Sequence, residues 1–195
     1  MTYPNHQQAL ASLQFFRSNA IISLAAIRLI DSQAVLDLQG WAAFCSPNQL
    51  MFIPVTECGG KDSTHIDLSQ ITRTFIDDRD ALRENLRQFW NSARRNLIKE
   101  AFEITKAYAK ANSCTDLLKQ QPWYQFARMV RNSLSHDFHI KFQPNDFHHL
   151  PVSWQGKTIS SSMDGLSLPS DILDPYTTWI LFDQIYKFVD SHPCV

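Results

Sequence analysis

Apolar residues recur every three or four positions between residues 7 and 39, at Leu10, Leu13, Phe16, Ile21, Leu24, Ile27, Val35 and Leu38. That spacing lines side chains along one face of an α-helix. Gly40 comes next as a stop signal, so the pattern predicts one long amphipathic helix. Pro47, Pro54 and Gly59-Gly60 interrupt residues 41–66, which read as a connector holding one short element near residues 48–52. Helical spacing resumes over residues 67–111 through Ile71, Phe75, Leu82, Leu86, Phe89, Leu97, Phe102, Ile104 and Tyr108, with a break expected at Asp77-Asp78.

Further along, residues 115–119 form a short segment, and Gln121-Pro122 opens a helix that runs to about Ser135, because proline suits a first helical turn. Residues 144–168 lack helical spacing. Within them the stretch from Leu150 to Ser160 alternates and carries Gln155-Gly156, which predicts a small β-hairpin near residues 150–162. A last helix is expected to start at Ser170 or Asp171 and to end at His192-Pro193, with Ile172, Leu173, Tyr176, Ile180, Leu181, Ile185, Phe188 and Val189 facing inward. The expected fold class is mostly α, with the hairpin inserted before the final helix, in a single helical domain spanning residues 1–195.

Composition narrows the setting. The chain has 195 residues, 44% of them hydrophobic and 19% charged, which is enough apolar surface for a packed core and argues against disorder. Its most apolar stretch, residues 20–30, is interrupted by Arg28 and is shorter than the roughly 20 residues that span a bilayer. With no signal-like start, cytoplasmic residence without membrane association is the expectation. Cys45, Cys58, Cys114 and Cys194 form no C-x-x-C pair, so neither a zinc site nor a disulfide framework is expected.

A net charge of −1 excludes a surface that is basic throughout, yet eight of the 18 Lys and Arg residues fall between Arg79 and Lys110. Arg79, Arg83 and Arg87 share a helix face, with Arg94, Arg95, Lys99, Lys106 and Lys110 beyond them. Two readings stand open for this ridge. It is either a track for phosphates or a solvated face paired with Glu84, Glu100 and Glu103.

The helix ending near residue 136 carries the candidate chemistry. Trp123, Phe126, Ala127, Val130 and Leu134 form its apolar side, and Arg128, Arg131, Asn132, Ser135 and His136 succeed one another along a polar stripe. The stripe lacks the Glu and Lys of an ordinary solvated face. Arginine presents a planar fork that matches a phosphate, and an imidazole takes or gives a proton near neutrality. An Arg and a His at a helix end also complement the helix dipole, which is the purely structural alternative. On an ideal helix Arg131 and His136 stand about 140° apart, so one chain's pair is not expected to converge fully.

The run Arg131-Asn132-Ser133-Leu134-Ser135-His136 resembles the signature of the HEPN family, an Arg, a polar residue that is often Asn, and a His at the end of a helix. The resemblance covers roughly residues 71–190 in architecture and only this motif in detail. It implies an antiparallel helical bundle and a metal-independent endoribonuclease of the toxin–antitoxin or phage-defence kind. By the same resemblance, catalysis would fall to Arg131, Asn132 and His136: His136 as general acid or base, Arg131 against the phosphate, and Asn132 positioning His136 or the phosphate. Arg128 and Ser135 would contact substrate, the product would be a 2′,3′-cyclic phosphate, and no metal or cofactor would take part. The implied partners are RNA, a second copy with its motif facing the first, and an antitoxin or defence-system protein. Some relatives instead serve as non-catalytic nucleotide-binding or protein-interaction modules.

Phe138 stands where some relatives carry a modifiable Tyr two residues after the His, which excludes that form of control here. Glu100 and Glu103 are candidates for an inter-helix salt bridge to Arg131. His136, His139, His148 and His149 lack the offsets of a metal site. Ser135-His136-Asp137, being adjacent, cannot converge as a hydrolase triad.

Overall fold

The computed structural model of the chain describes residues 5–31, 51–53, 64–66 and 79–192. Two compact units divide the chain: one combines Met1–Ile21 with Asn91–Val195, the other is Ile22–Trp90. The chain is mostly helical. In order its elements are α1 (His6–Asp31), β1 (Met51–Ile53), β2 (Thr64–Ile66), α2 (Arg79–Ala111), α3 (Thr115–Lys119), α4 (Tyr124–Ser135), β3 (Val152–Trp154), β4 (Lys157–Ile159) and α5 (Pro175–Ser191). Short 3₁₀ turns, Pro144–His149 and Ser161–Met163, flank the β3–β4 hairpin. Among the described residues, no helix is long and apolar enough to cross a membrane.

In the unit Ile22–Trp90, β1 pairs with β2 antiparallel, Met51 opposite Ile66. The expected short element near residues 48–52 is thus a strand that starts at Met51. The expected stretches 32–39 and 67–78, with Val35, Leu38, Ile71 and Phe75, lie outside the described residues.

The larger unit is built on side chains from α1, α2, α4 and α5. Leu13, Ile98, Phe102, Trp123, Phe126, Val130, Leu134, Leu181, Ile185 and Val189 are each 0–2% exposed, and full burial of such a side chain contributes about 1.5–3 kcal/mol. Ile21 of α1 and Tyr176 of α5, both expected to face inward, are 49% and 74% exposed. The ends of the unit are tied together as well: His6 Nε2 lies 3.0 Å from the Val189 carbonyl, and the Tyr108 hydroxyl donates to the His192 carbonyl.

Three helix starts show how local chemistry sets boundaries. α4 begins at Tyr124, two residues after the expected Pro122; the proline sits in a turn closed by Tyr124 N–H donating to the Gln121 carbonyl at 2.9 Å. α3 spans Thr115–Lys119, as the short segment was expected to.

α5 begins at Pro175, later than Ser170 or Asp171, because Asp174 is its N-cap and accepts from Thr177 N–H at 2.7 Å. Proline then occupies the first turn, where its missing N–H costs nothing. Ile172 and Leu173 are still buried, in the turn before the helix.

The bond from Thr177 N–H, helped by Lys157 Nζ at 3.3 Å, holds the Asp174 carboxyl below its ordinary pKa against a smaller opposing effect of burial. The native state therefore binds this proton less readily than the unfolded chain. The stabilisation is complete above the ordinary carboxylate range and is lost as pH falls through the lowered native value. Asp174→Ala is expected to cost about 1 kcal/mol at neutral pH. Thermal melting across a pH series should show the gap to wild type closing only in acid; a gap independent of pH would contradict the capping role.

The hairpin forms where the Gln155-Gly156 turn was expected. Val152 pairs with Ile159 and Trp154 with Lys157. Gln155 (φ 50°) and Gly156 (φ 73°) both take left-handed conformations, as a two-residue hairpin turn requires. Its inward face puts Trp154 5.4 Å from the Phe126 ring, against α4.

Candidate functional site

α4 has one apolar face and one polar edge. Trp123, at its N-cap, and Phe126, Ala127, Met129, Val130 and Leu134 are all buried. Ser133, between the motif's polar residues, is 1% exposed and spends its hydroxyl on the Met129 carbonyl at 3.0 Å. Arg128, Arg131 and Asn132 are half-buried, and Ser135 and His136 are exposed. The expected division into core face and polar stripe is thus the one observed.

Arg131 is held from two sides. Its Nη1 donates to Asn132 Oδ1 at 3.0 Å. Its Nη2 lies 2.5 Å from Glu103 Oε1 on α2, a charge contact whose orientation falls outside hydrogen-bond geometry. The Arg131 Nε–H is enclosed and makes no hydrogen bond among the described residues. Of the two acidic candidates, only Glu103 reaches Arg131. Glu100 pairs with Lys99 at 3.8 Å.

Asn132 therefore turns its amide oxygen to Arg131, and it orients the guanidinium. Ser135 donates back to the Arg131 carbonyl at 3.1 Å, a bond within its own helix. Arg128 is committed elsewhere: its Nε donates to Gln125 at 3.0 Å, and its Nη2 lies 2.7 Å from Asp146, which is 2% exposed. Asp146 also accepts from Gln143 N–H at 2.7 Å. Losing either member would leave the other's charge half-enclosed, so Arg128 braces the 3₁₀ turn after the motif.

His136 is the C-cap of α4, not its last helical residue. Its φ of −114° and ψ of 43° leave the helix, and its N–H donates to the Ser133 carbonyl at 3.0 Å. The ideal-helix angle between Arg131 and His136 therefore does not govern the pair, because the chain has turned by the time it reaches the imidazole.

Beyond His136 the backbone takes a rare path. Asp137 (φ 53°) and Phe138 (φ 62°) are consecutive left-handed residues, neither of them glycine. The conformation costs roughly 1–2 kcal/mol at Phe138 and less at Asp137, whose short polar side chain suits it. Asp137 pairs with Arg95 of α2 at 2.8 Å, but Asp137 is 87% exposed, and an exposed pair contributes only about 0–1 kcal/mol.

The rest of the support comes from Phe138. The Arg95 and Arg94 guanidinium groups stand 5.3 and 5.8 Å from its ring, and its carbonyl accepts from Leu168 N–H at 2.6 Å. His139 N–H closes the turn onto the His136 carbonyl at 2.9 Å.

The basic ridge of α2 resolves largely into local pairs. Arg83 meets Asp80 at 3.3 Å, Arg87 meets Glu84 at 2.5 Å, and Lys106 meets Glu103 at 3.6 Å. The bonds from Arg87 and Gln88 pull Glu84 down to a pKa of about 2. Arg94 turns inward to the Leu173 carbonyl, and burial lowers its pKa. These contacts describe a solvated, ion-paired face better than a bare phosphate track.

A groove of about 400 Å³ lies apart from the motif, between α1 and α5, with Arg17, Tyr176, Trp179 and Tyr186 among its lining.

No family model, curated protein or solved structure matches the chain.

Sequence reasoning missed Arg95, Asp137 and Asp146 as supports of the motif. Asp146 alone left a signal, an acidic residue placed to cap the turn that Pro144 opens. The partners of Arg95 and Arg128 are set by packing between segments far apart in sequence.

Proposed function

We propose that the chain is a metal-independent endoribonuclease of HEPN type, whose reacting groups are Arg131 and His136. The observation that carries this reading is the presence, near the end of one helix, of an oriented, partly exposed guanidinium and an exposed imidazole. Asn132 and Glu103 hold the first; the turn at Asp137 and Phe138 carries the second.

In the reaction, His136 takes the proton of a ribose 2′-hydroxyl as that oxygen bonds to the adjacent phosphorus. The bond from phosphorus to the 5′-oxygen breaks, and this oxygen leaves with a proton from an acid. Arg131 offsets the charge that builds on the non-bridging phosphoryl oxygens. Glu103 competes with the phosphate for Arg131, so binding exchanges one anion for another. The products are a 2′,3′-cyclic phosphate and a 5′-hydroxyl. The exposed edge of α4 offers only one wall of a cleft, and a second copy's motif supplies the other wall and the acid. An antitoxin or defence-system partner would act by covering this edge.

RNA and all-deoxy strands incubated with the protein and a chelator test this directly. Cleavage confined to RNA, with cyclic phosphate ends, is expected. Inertness on varied RNAs, or dependence on a divalent metal, sinks the proposal.

A second reading, a non-catalytic nucleotide-binding module, is favoured by the α1–α5 groove. There an exposed Arg17 stands among aromatic rings, Tyr176 being 74% exposed, and bases stack on such rings. It predicts nucleotide binding that Trp179→Ala weakens and His136→Ala leaves intact.

A further inference from the structure

We propose that Asp137, tethered to Arg95 on α2, is a positioning residue that sets the direction of the His136 imidazole. This rests on the reading of His136 as the proton-transfer group.

His136 has left the helix, so the helical hydrogen-bond ladder no longer orients it beyond the single bond from its N–H to Ser133. The residues after it in the chain must do so. Asp137 and Phe138 hold consecutive left-handed conformations, which an aspartate tolerates but an aromatic residue such as Phe138 does not favour. Such conformations persist only where the surroundings over-determine them, and they cluster at functional sites.

The surroundings here are specific. The Asp137 carboxylate lies 2.8 Å from Arg95 Nη2, and the same guanidinium stands over the Phe138 ring at 5.3 Å. One arginine thus grips both left-handed residues. Leu168 N–H holds the Phe138 carbonyl from the far side.

α2 consequently supports both halves of the motif from positions about two turns apart. Glu103 holds Arg131, and Arg95 holds the turn that carries His136. The distance between guanidinium and imidazole is therefore referred to a single rigid helix, although the two residues lie on opposite sides of a helix terminus. An exposed ion pair is a weak source of stability, and a weak pair suffices when its task is to choose between orientations of one side chain.

Asp137→Asn separates orientation from stability. Asparagine tolerates the left-handed conformation as well as aspartate does, so the turn can still form, but the charge that engages Arg95 is gone. The melting temperature is expected to stay within a few degrees of wild type, because exposed pairs contribute little. With RNA as substrate, kcat is expected to fall about tenfold with KM nearly unchanged, as misplacement of a reacting group produces. Arg95→Lys keeps the charge and should retain most of the activity.

NMR relaxation gives a readout that needs no catalysis. The amides of His136, Asp137 and Phe138 should be as ordered as those of α4 in wild type and measurably less ordered in Asp137→Asn. Unchanged order and unchanged kcat overturn the proposal, as does a loss of activity that merely tracks a loss of melting temperature. If wild type cuts no RNA, the order of these amides alone decides the tether. Reduced order in Asp137→Asn would then uphold the positioning while the ribonuclease reading fails; unchanged order would overturn the positioning too.

Discussion

His136→Ala should lower RNA cleavage by about 10²–10⁴-fold, the range that a positioned general acid or base contributes. The fold should not change with it. The imidazole is exposed, and the C-cap bond to Ser133 is made by the backbone N–H, which alanine keeps. Arg131→Lys is expected to lose activity too, since an ammonium cannot span Asn132 and Glu103 with a planar fork. Initial rates on a fluorescent RNA, read beside circular dichroism of each variant, check both effects. If His136→Ala cuts RNA as fast as wild type, the proton-transfer role goes, and any activity must reside elsewhere in the chain.

The second large effect concerns stability. Trp123→Ala should destabilise the protein by about 3–5 kcal/mol, the usual cost of deleting a large buried aromatic side chain. Trp123 is 2% exposed, and its ring meets Phe188 of α5 edge-on at 6.4 Å. It stands at the N-cap of α4, so the cavity would open where the motif helix docks on the C-terminal helix. Against a typical total of roughly 5–15 kcal/mol, the loss leaves little margin. Urea denaturation should show a much lower midpoint with a similar slope. A cost below about 1 kcal/mol would mean that the interior collapses around the missing ring, or that α4 and α5 do not pack as described.

These two residues also mark how far the linear sequence reaches. Trp123, Phe126, Ala127, Val130 and Leu134 declared the buried face of α4 by their spacing alone, because a helix of fixed period converts spacing into direction. Gln155-Gly156 declared its hairpin because two left-handed residues in a row satisfy a tight turn locally. The same local reasoning placed Arg131 and His136 at the end of one helix and separated them from the core.

It misjudged the start of α5, where Asp174 caps the helix and overrides earlier candidates, and it treated His136 as a helical residue. It also left Glu100 and Glu103 as equal candidates for Arg131, a choice that tertiary packing decided, and it assigned Asn132 to His136 or the phosphate, whereas the Asn132 amide oxygen accepts from the neighbouring Arg131. Which carboxylate reaches a guanidinium depends on how α2 crosses α4, and that depends on side chains buried between them, such as Phe102 and Tyr124, whose rings lie 5.6 Å apart.

Sequence by itself thus determined a mostly helical chain with a polar, anion-matching edge on one helix. Only the tertiary structure decided that Glu103 reaches Arg131, that Asp146 pairs with Arg128, and that Arg95 grips the turn after His136. The physical reason is range: periodicity and turn chemistry act over a few residues, whereas an ion pair between helices exists only once the core has brought them together.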